Sequence, residues 1–184
     1  MPEKIRFDLY TDVSVGPKAG WGAVLAEYGT EIARSQGVMK IDTLVTDIFE
    51  ITAVSLAIDW LVENHLIPQG QIVRVWSDNE NAVKWIMGKL PIRKRKETFG
   101  KMMAARVKTT NAGRRGGIII RAQWVKGHQP LGNSAHGDFN KIADRLAREA
   151  SGVLARQRES SDRRKGRIPQ TIAPQTIESA QALD

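Results

Sequence analysis

The stretch Lys4–Ser14, Lys-Ile-Arg-Phe-Asp-Leu-Tyr-Thr-Asp-Val-Ser, limits this chain more than any other. Ile5, Phe7, Leu9 and Thr11 fall on one face of an extended segment, and Arg6, Asp8, Tyr10 and Asp12 on the other, which is strand periodicity. A Gly-Pro turn follows, then a second strand-like run from Trp21 to Tyr28, so the pair reads as a hairpin that opens a sheet. Taken alone, Asp12 at the end of such a strand is a turn starter. Glu50, Asp78 and Asp144, each at a definable point of a later element, argue for a different role.

With 184 residues, 41% hydrophobic and 26% charged, the chain suits one domain and a tail. It has no cysteine, which excludes disulfides, zinc–thiolate sites and thiol nucleophiles, so any metal must be held by oxygen or imidazole. No apolar run approaches the length of a membrane span, and Met1-Pro-Glu-Lys4 lacks a signal-peptide pattern; the expectation is a cytoplasmic monomer without a membrane partner. A net charge of +8 points toward a polyanionic partner.

Glu31–Met39 reads as a third strand, at an edge. From Thr46 to about Glu63 the apolar spacing turns helical, with Thr46 or Asp47 as N-cap and Glu50 in the first turns, where the helix dipole favours negative charge. Pro68-Gln-Gly70 ends that helix. Gln71–Ser77 returns to strand, parallel to an earlier one because it follows a crossover helix. Asp78 then stands where a strand hands over to a short helix, Asn79–Met87, at the edge where open α/β sheets bind ligands; its bland alternative, shared with Ser77, is a helix cap.

Lys89–Arg115 is strongly basic, with only Glu97 opposing its cations. Phe99, Met102, Met103 and Val107 keep helical spacing, which predicts a helix over Lys96–Thr110 with a cationic face and an apolar stripe. Ile118–Val125 reads as a buried strand. The loop after it carries His128 and His136, and a final amphipathic helix starts near Phe139 or Asn140, with Asn140 and Asp144 one turn apart on the same side. His65 reads as a surface residue. Residues 155–184, rich in Arg, Gln, Ser and Pro, read as a disordered basic and polar tail.

Leu9-Tyr-Thr-Asp-Val-Ser14, Phe49-Glu-Ile-Thr-Ala-Val-Ser-Leu-Ala57, Val75-Trp-Ser-Asp78, Trp124-Val-Lys-Gly-His128 and Asn140-Lys-Ile-Ala-Asp-Arg-Leu-Ala147, in this order, resemble ribonuclease H of the type 1 family over about residues 4 to 154. The resemblance implies an α/β domain over residues 1–154: a ribonuclease H-like, mixed five-stranded sheet, three antiparallel strands then two parallel, flanked by helices. It further implies a metal-dependent endonuclease that hydrolyses the RNA strand of RNA–DNA hybrids to 3′-hydroxyl and 5′-phosphate ends. Asp12, Glu50, Asp78 and Asp144 take the family's metal-binding positions, for two Mg²⁺ ions or Mn²⁺ in their place. His128 takes that of a loop histidine assisting product release or proton transfer; His136 competes with it, and His128 is preferred for its place in Val-Lys-Gly-His. Arg93, Lys94, Arg95, Lys96 and Lys101, with Asn140, are the expected nucleic-acid contacts.

The sequence departs from the family pattern at substrate-reading positions. Val13 replaces the usual Gly after the first Asp, the following loop is shorter and lacks its Asn, Thr46 and Asp47 stand in the region of an Asn pair, and Glu80 stands where bacterial enzymes carry Gln. These departures keep two other readings open: a nuclease of this fold acting on a DNA junction or double-stranded RNA, and a non-catalytic nucleic-acid-binding module. Clustered acids disfavour the module, because negative charge beside a phosphate backbone weakens binding unless cations offset it. Phosphodiester hydrolysis needs an activated water and a stabilised leaving oxygen, and hard divalent ions on carboxylate ligands supply both.

Overall fold

In the computed structural model, which describes residues 6–40, 45–89, 96–127, 132 and 134–164, β1 (Phe7–Val15) is the middle strand of a five-stranded sheet. β2 (Ala19–Glu27) pairs antiparallel with β1, and β3 (Thr30–Met39) antiparallel with β2. β4 (Ile72–Ser77) lies parallel to β1 on its other side, and β5 (Ile119–Trp124) parallel to β4. The order β3-β2-β1-β4-β5 matches the expected mixed sheet. Tyr28 and Gly29, both at positive φ (49° and 81°), form the two-residue turn between β2 and β3, where both central residues of a twist-matched hairpin need that conformation.

Both faces of β1 are covered, as its position demands. Phe7, Leu9 and Val13 face α1 (Thr46–Glu63), packing with Trp21, Ala23 and Leu25 of β2 and with Val54, Ile58 and Leu61 of the helix. Full burial of such a side chain stabilises by roughly 1.5–3 kcal/mol. Tyr10 on the opposite face joins Val24, Ala26, Trp76 and Val125 under α4 (Ala135–Ala150), which contributes Ala143. Gly20 and Gly22 let α4 press onto β2: a Cβ at Gly22 would run into the carbonyl of Ala143 and the amide of Ala147, and one at Gly20 into the carbonyl of Ala147. Beyond β4 come α2 (Glu80–Ile86) and α3 (Lys96–Arg115). Among the described residues no helix is long and apolar enough to cross a membrane.

Several boundaries differ from the sequence reading. α1 begins at Thr46 with Val45 as N-cap and no side-chain cap, so neither Thr46 nor Asp47 serves that purpose. α3 runs to Arg115, and among its described side chains Ala105, Thr109 and Ala112 are buried, as is Gly113, while Val107 is exposed. Small residues fit there because α3 packs closely on α1; the Thr109 hydroxyl donates to the Ile51 carbonyl at 3.3 Å. β5 is the outermost strand, and only its flanking residues Ile118 and Val125 are buried. α4 starts at Ala135, where the Ser134 hydroxyl accepts from the Gly137 amide.

The chain divides into two compact units, Met1–Leu154 and Ala155–Asp184. The expectation of disorder from residue 155 onward needs correction: α5 (Val153–Arg164) is helical. Ala155, Arg156 and Gln157 favour helix intrinsically, whatever their polarity. The remainder of the expected tail, residues 165–184, lies outside the described residues.

Candidate metal centre

Asp12 is 8% exposed and pairs across the ladder with Gly22, so its side chain lies on the α4 face of the sheet. Its Oδ1 accepts from the Val13 amide at 2.7 Å. The backbone provides that donor whatever the side chain at 13, and Val13 turns its own side chain into the α1 core; the position is not at positive φ, so Gly is not required. Glu50 enters from the start of α1 at 4% exposure, and the Ser77 hydroxyl donates to its Oε2 at 3.4 Å. Asp78 stands between β4 and α2. The cap of α2 is Asn79, whose side chain accepts from the Ala82 amide at 2.9 Å, so capping by Ser77 or Asp78 is ruled out as their role. Asn79 also donates to Asp47 at 3.0 Å, tying the start of α2 to the start of α1 beside Glu50. On the far side, the Trp124 indole donates to the Asp78 carbonyl at 3.0 Å.

These supports bring one carboxylate oxygen each of Asp12, Glu50 and Asp78 within 4.8 Å of one another. Asp144 belongs to the neighbourhood but not to that trio. Its charge is close enough to raise the pKa of Asp12, yet its side chain is about one-third exposed and its Oδ2 lies 3.8 Å from Arg148 Nη1, one turn along α4. The expected set of four acids is therefore a tight group of three with Asp144 at its margin, drawn toward a cation on its own helix.

Burial, then repulsion from Asp78, pushes the Asp12 carboxyl up to about 8 against the restraining hydrogen bond from Val13; Asp144 adds to the rise. Glu50 is held well above the usual carboxylate range by burial first and then by Asp12 and Asp78, with the Ser77 hydroxyl opposing. A buried acid group of this kind must carry protons or meet a cation. Its donors are all oxygen, which suits a hard divalent ion such as Mg²⁺ or Mn²⁺ and no soft metal. The residues present fit the metal that the sequence implies.

Other expected site residues fall differently. His128, Arg93, Lys94 and Arg95 lie outside the described residues; Lys96 and Lys101 are in the first part of α3, with side chains outside them. His136 sits in the first turn of α4, with its Nδ1 2.6 Å from Tyr10 Oη and its ring stacked on Trp76. The charges it senses are Asp8 and Arg74, not the acidic trio. Asn140 is corrected as a nucleic-acid contact: it is 4% exposed, with its Oδ1 buried and without a hydrogen-bond partner among the described residues. One turn before Asp144, it faces inward from the helix. Sequence reasoning missed Ser77 and Asn79 as supports of the acids, although both flank Asp78, and it missed Gly127, whose Cα lies against the Asp78 carboxylate.

A mixed sheet in this strand order, with acids converging from β1, α1 and the end of β4, defines the ribonuclease H-like class of α/β proteins. The family model for RNase H matches residues 5–152, and the chain belongs to the RNase H family. Among solved structures it is similar to the N-terminal RNase H domain of rv2228c from Mycobacterium tuberculosis, studied as a fusion with maltose binding protein (19% identity, TM-score 0.59, covering 84% of this chain and 99% of that one). RNase H1 from the halophilic archaeon Halobacterium salinarum NRC-1 gives 20% identity and a TM-score of 0.58 over 79% of this chain and 96% of that one. LC11-RNase H1 in complex with RNA/DNA hybrid gives 19% and 0.57 over 82% and 99%. At these identities the likeness is one of fold. Comparison with curated proteins gave no match.

Proposed function

We propose that this protein is a metal-dependent endonuclease that hydrolyses the RNA strand of RNA–DNA hybrids, leaving 3′-hydroxyl and 5′-phosphate ends. The observation that carries the reading is the convergence of Asp12, Glu50 and Asp78 within 4.8 Å, inside the region matched to RNase H. A hybrid as substrate is supported by the similar LC11-RNase H1, whose structure contains one. Asp12, Glu50 and Asp78 would hold the ions, with Asp144 joining from α4. Bound there, two divalent ions supply the charge that lowers the pKa of an attacking water and stabilises the leaving oxygen.

The chain's own groups prepare that site. Val13 N–H fixes one oxygen of Asp12, and Ser77 O–H fixes one of Glu50, so the remaining lone pairs point along set directions. Burial of both carboxylates excludes water from their backs and strengthens their hold on a cation. His128 is assigned to proton transfer or product release, by its place in Val-Lys-Gly-His. Arg93, Lys94, Arg95, Lys96 and Lys101 are assigned to the phosphates of the hybrid.

The test uses labelled hybrid, DNA duplex, RNA duplex and four-way junction, each with Mg²⁺, Mn²⁺ or chelator. Cleavage confined to the hybrid and to metal-containing lanes is expected, with Asp12→Asn and Asp78→Asn inactive and His128→Ala slowed but active. Preferred cleavage of another substrate, or full activity of both Asn variants, overturns the reading.

A further inference from the structure

Apart from α1 with Glu50, three elements lead to an acid of the centre, and along each the acid is the last of three residues on one face. On β1 the row is Asp8, Tyr10, Asp12; along β4 and one residue past its end it is Arg74, Trp76, Asp78; on α4 it is His136, Asn140, Asp144, at successive turns. The β1–β4 ladder sets Asp8 opposite Arg74 and Tyr10 opposite Trp76. Behind the acids these rows interlock. Arg74 donates to both oxygens of Asp8 (2.6 and 3.2 Å), and the Trp76 indole donates to Asp8 at 2.8 Å. The Trp76 ring lies parallel to that of Tyr10 with centroids 6.1 Å apart, and the His136 ring stacks on Trp76 at 4.1 Å. The Tyr10 hydroxyl, on a side chain only 1% exposed, meets His136 Nδ1 at 2.6 Å.

We infer that His136 is a positioning residue, which pins the first turn of α4 to β1 and β4 and so sets where Asp144 stands relative to Asp12. The inference rests on the proposed metal centre. Close approach at Gly22 and Gly20 fixes the separation of α4 from β2 at Ala143 and Ala147, but both contacts lie in the second half of the helix and leave the seat of its first turn to other groups. An anchor in that first turn, about 10 Å back along the axis from Ala143 at a rise of 1.5 Å per residue, holds the near end of the helix as well. His136 supplies it with two different contacts, a hydrogen bond to the strand before Asp12 and a stack on the strand before Asp78. Burial lowers the pKa of His136 and favours the neutral ring, whose Nδ1 accepts from the Tyr10 hydroxyl.

Three variants separate the contacts: His136→Phe keeps a ring without the acceptor, His136→Asn keeps an acceptor near Nδ1 without the ring, and Tyr10→Phe deletes only the hydroxyl. Mn²⁺ binding is measured by electron paramagnetic resonance of the free ion, alongside kcat and KM on hybrid and thermal melting. His136→Phe is expected to weaken Mn²⁺ binding by about tenfold, as loss of a ligand-orienting partner does elsewhere, with KM unchanged. His136→Asn should recover part of the loss, and adding Tyr10→Phe to His136→Phe should cost nothing further, because both remove one hydrogen bond. If His136→Phe does not fold, Tyr10→Phe carries the same expectation. Wild-type Mn²⁺ affinity in His136→Phe and Tyr10→Phe overturns the inference, even if melting temperatures fall. A wild type that binds no Mn²⁺ removes the metal centre itself and the inference with it, an outcome distinguishable before any variant is made.

Discussion

The backbone of Gly127 lies so close to the carboxylate of Asp78 that a Cβ at position 127 would overlap Oδ2 and come within 3.1 Å of the Asp78 Cβ. Gly127 is not at positive φ, so its backbone conformation suits any residue and the restriction is steric alone. It follows β5, while Asp78 follows the parallel neighbour β4, and the parallel register brings the two ends together.

Gly127→Ala should therefore fold but push Asp78 out of the acidic trio. A displacement near 1 Å at a catalytic group costs on the order of 100-fold in rate. Hydrolysis of hybrid measured beside a circular-dichroism melt checks this, and a variant with wild-type kcat would show that the observed Asp78 position is not the working one.

The metal-free protein should lose stability as pH rises. Asp12 keeps its proton up to about 8 in the folded chain, while an unfolded aspartate releases it near about 4. Between those values the folded state binds more protons than the unfolded one, so the stability fully present below the unfolded pKa declines with pH and is lost above the folded pKa. Burial first, and Asp78 second, cause the rise, and Glu50 is shifted the same way. Melting temperatures in chelator should fall from about pH 5 to about pH 8.5. Asp12→Asn should flatten that decline, and Mg²⁺ should restore stability at the alkaline end. A flat wild-type profile would contradict the burial of these acids.

The parts of this architecture visible in sequence are those written in local pattern. Alternation in Phe7–Val15 revealed the strand, and Asp12, Glu50 and Asp78 stood out because each reads as lying near the end or start of an element, although β1 runs three residues past Asp12. Composition misled where it says nothing of position: Ile118–Val125 is apolar, yet β5 lies at the sheet edge. In α3, conspicuous Val107 is exposed while unremarkable Ala105, Thr109 and Ala112 make the contact with α1, because close helix packing selects small side chains. The bond between Tyr10 and His136 spans 126 positions, and no local pattern encodes a pairing at that distance. Asp144 was readable as a helix residue on the correct side, but its lean toward Arg148 depends on rotamers.

Gly22→Ala tests how α4 is seated. The added Cβ would meet the Ala143 carbonyl, the Ala147 amide and the Leu146 Cβ, two of which are backbone atoms of a helix and cannot yield singly. Overpacking of this kind costs about 1–3 kcal/mol, and here the relief available is movement of the whole helix with Asp144 on it. Urea unfolding should show the loss of stability, and kcat should fall as well. Undiminished stability would mean that α4 rides farther from β2 than the structure has it.

The final prediction concerns the basic segment Lys89–Arg115, which holds Arg93, Lys94, Arg95 and Lys96. Cations that meet phosphates of a hybrid release condensed counterions, so affinity falls with salt by roughly 0.7 to 0.9 log units per log unit of salt for each phosphate contacted. A merely solvated basic face leaves no such signature. Changing these four residues to Gln should weaken hybrid binding and flatten the salt slope by about two to three units, with a smaller effect on kcat at saturating substrate, since the acids proposed for the chemistry lie on β1, α1 and after β4. Binding titrations across a salt series in chelator, with wild type and the quadruple variant side by side, separate the two cases. Parallel slopes would assign the segment to solubility and move the grip on the substrate to other parts of the surface.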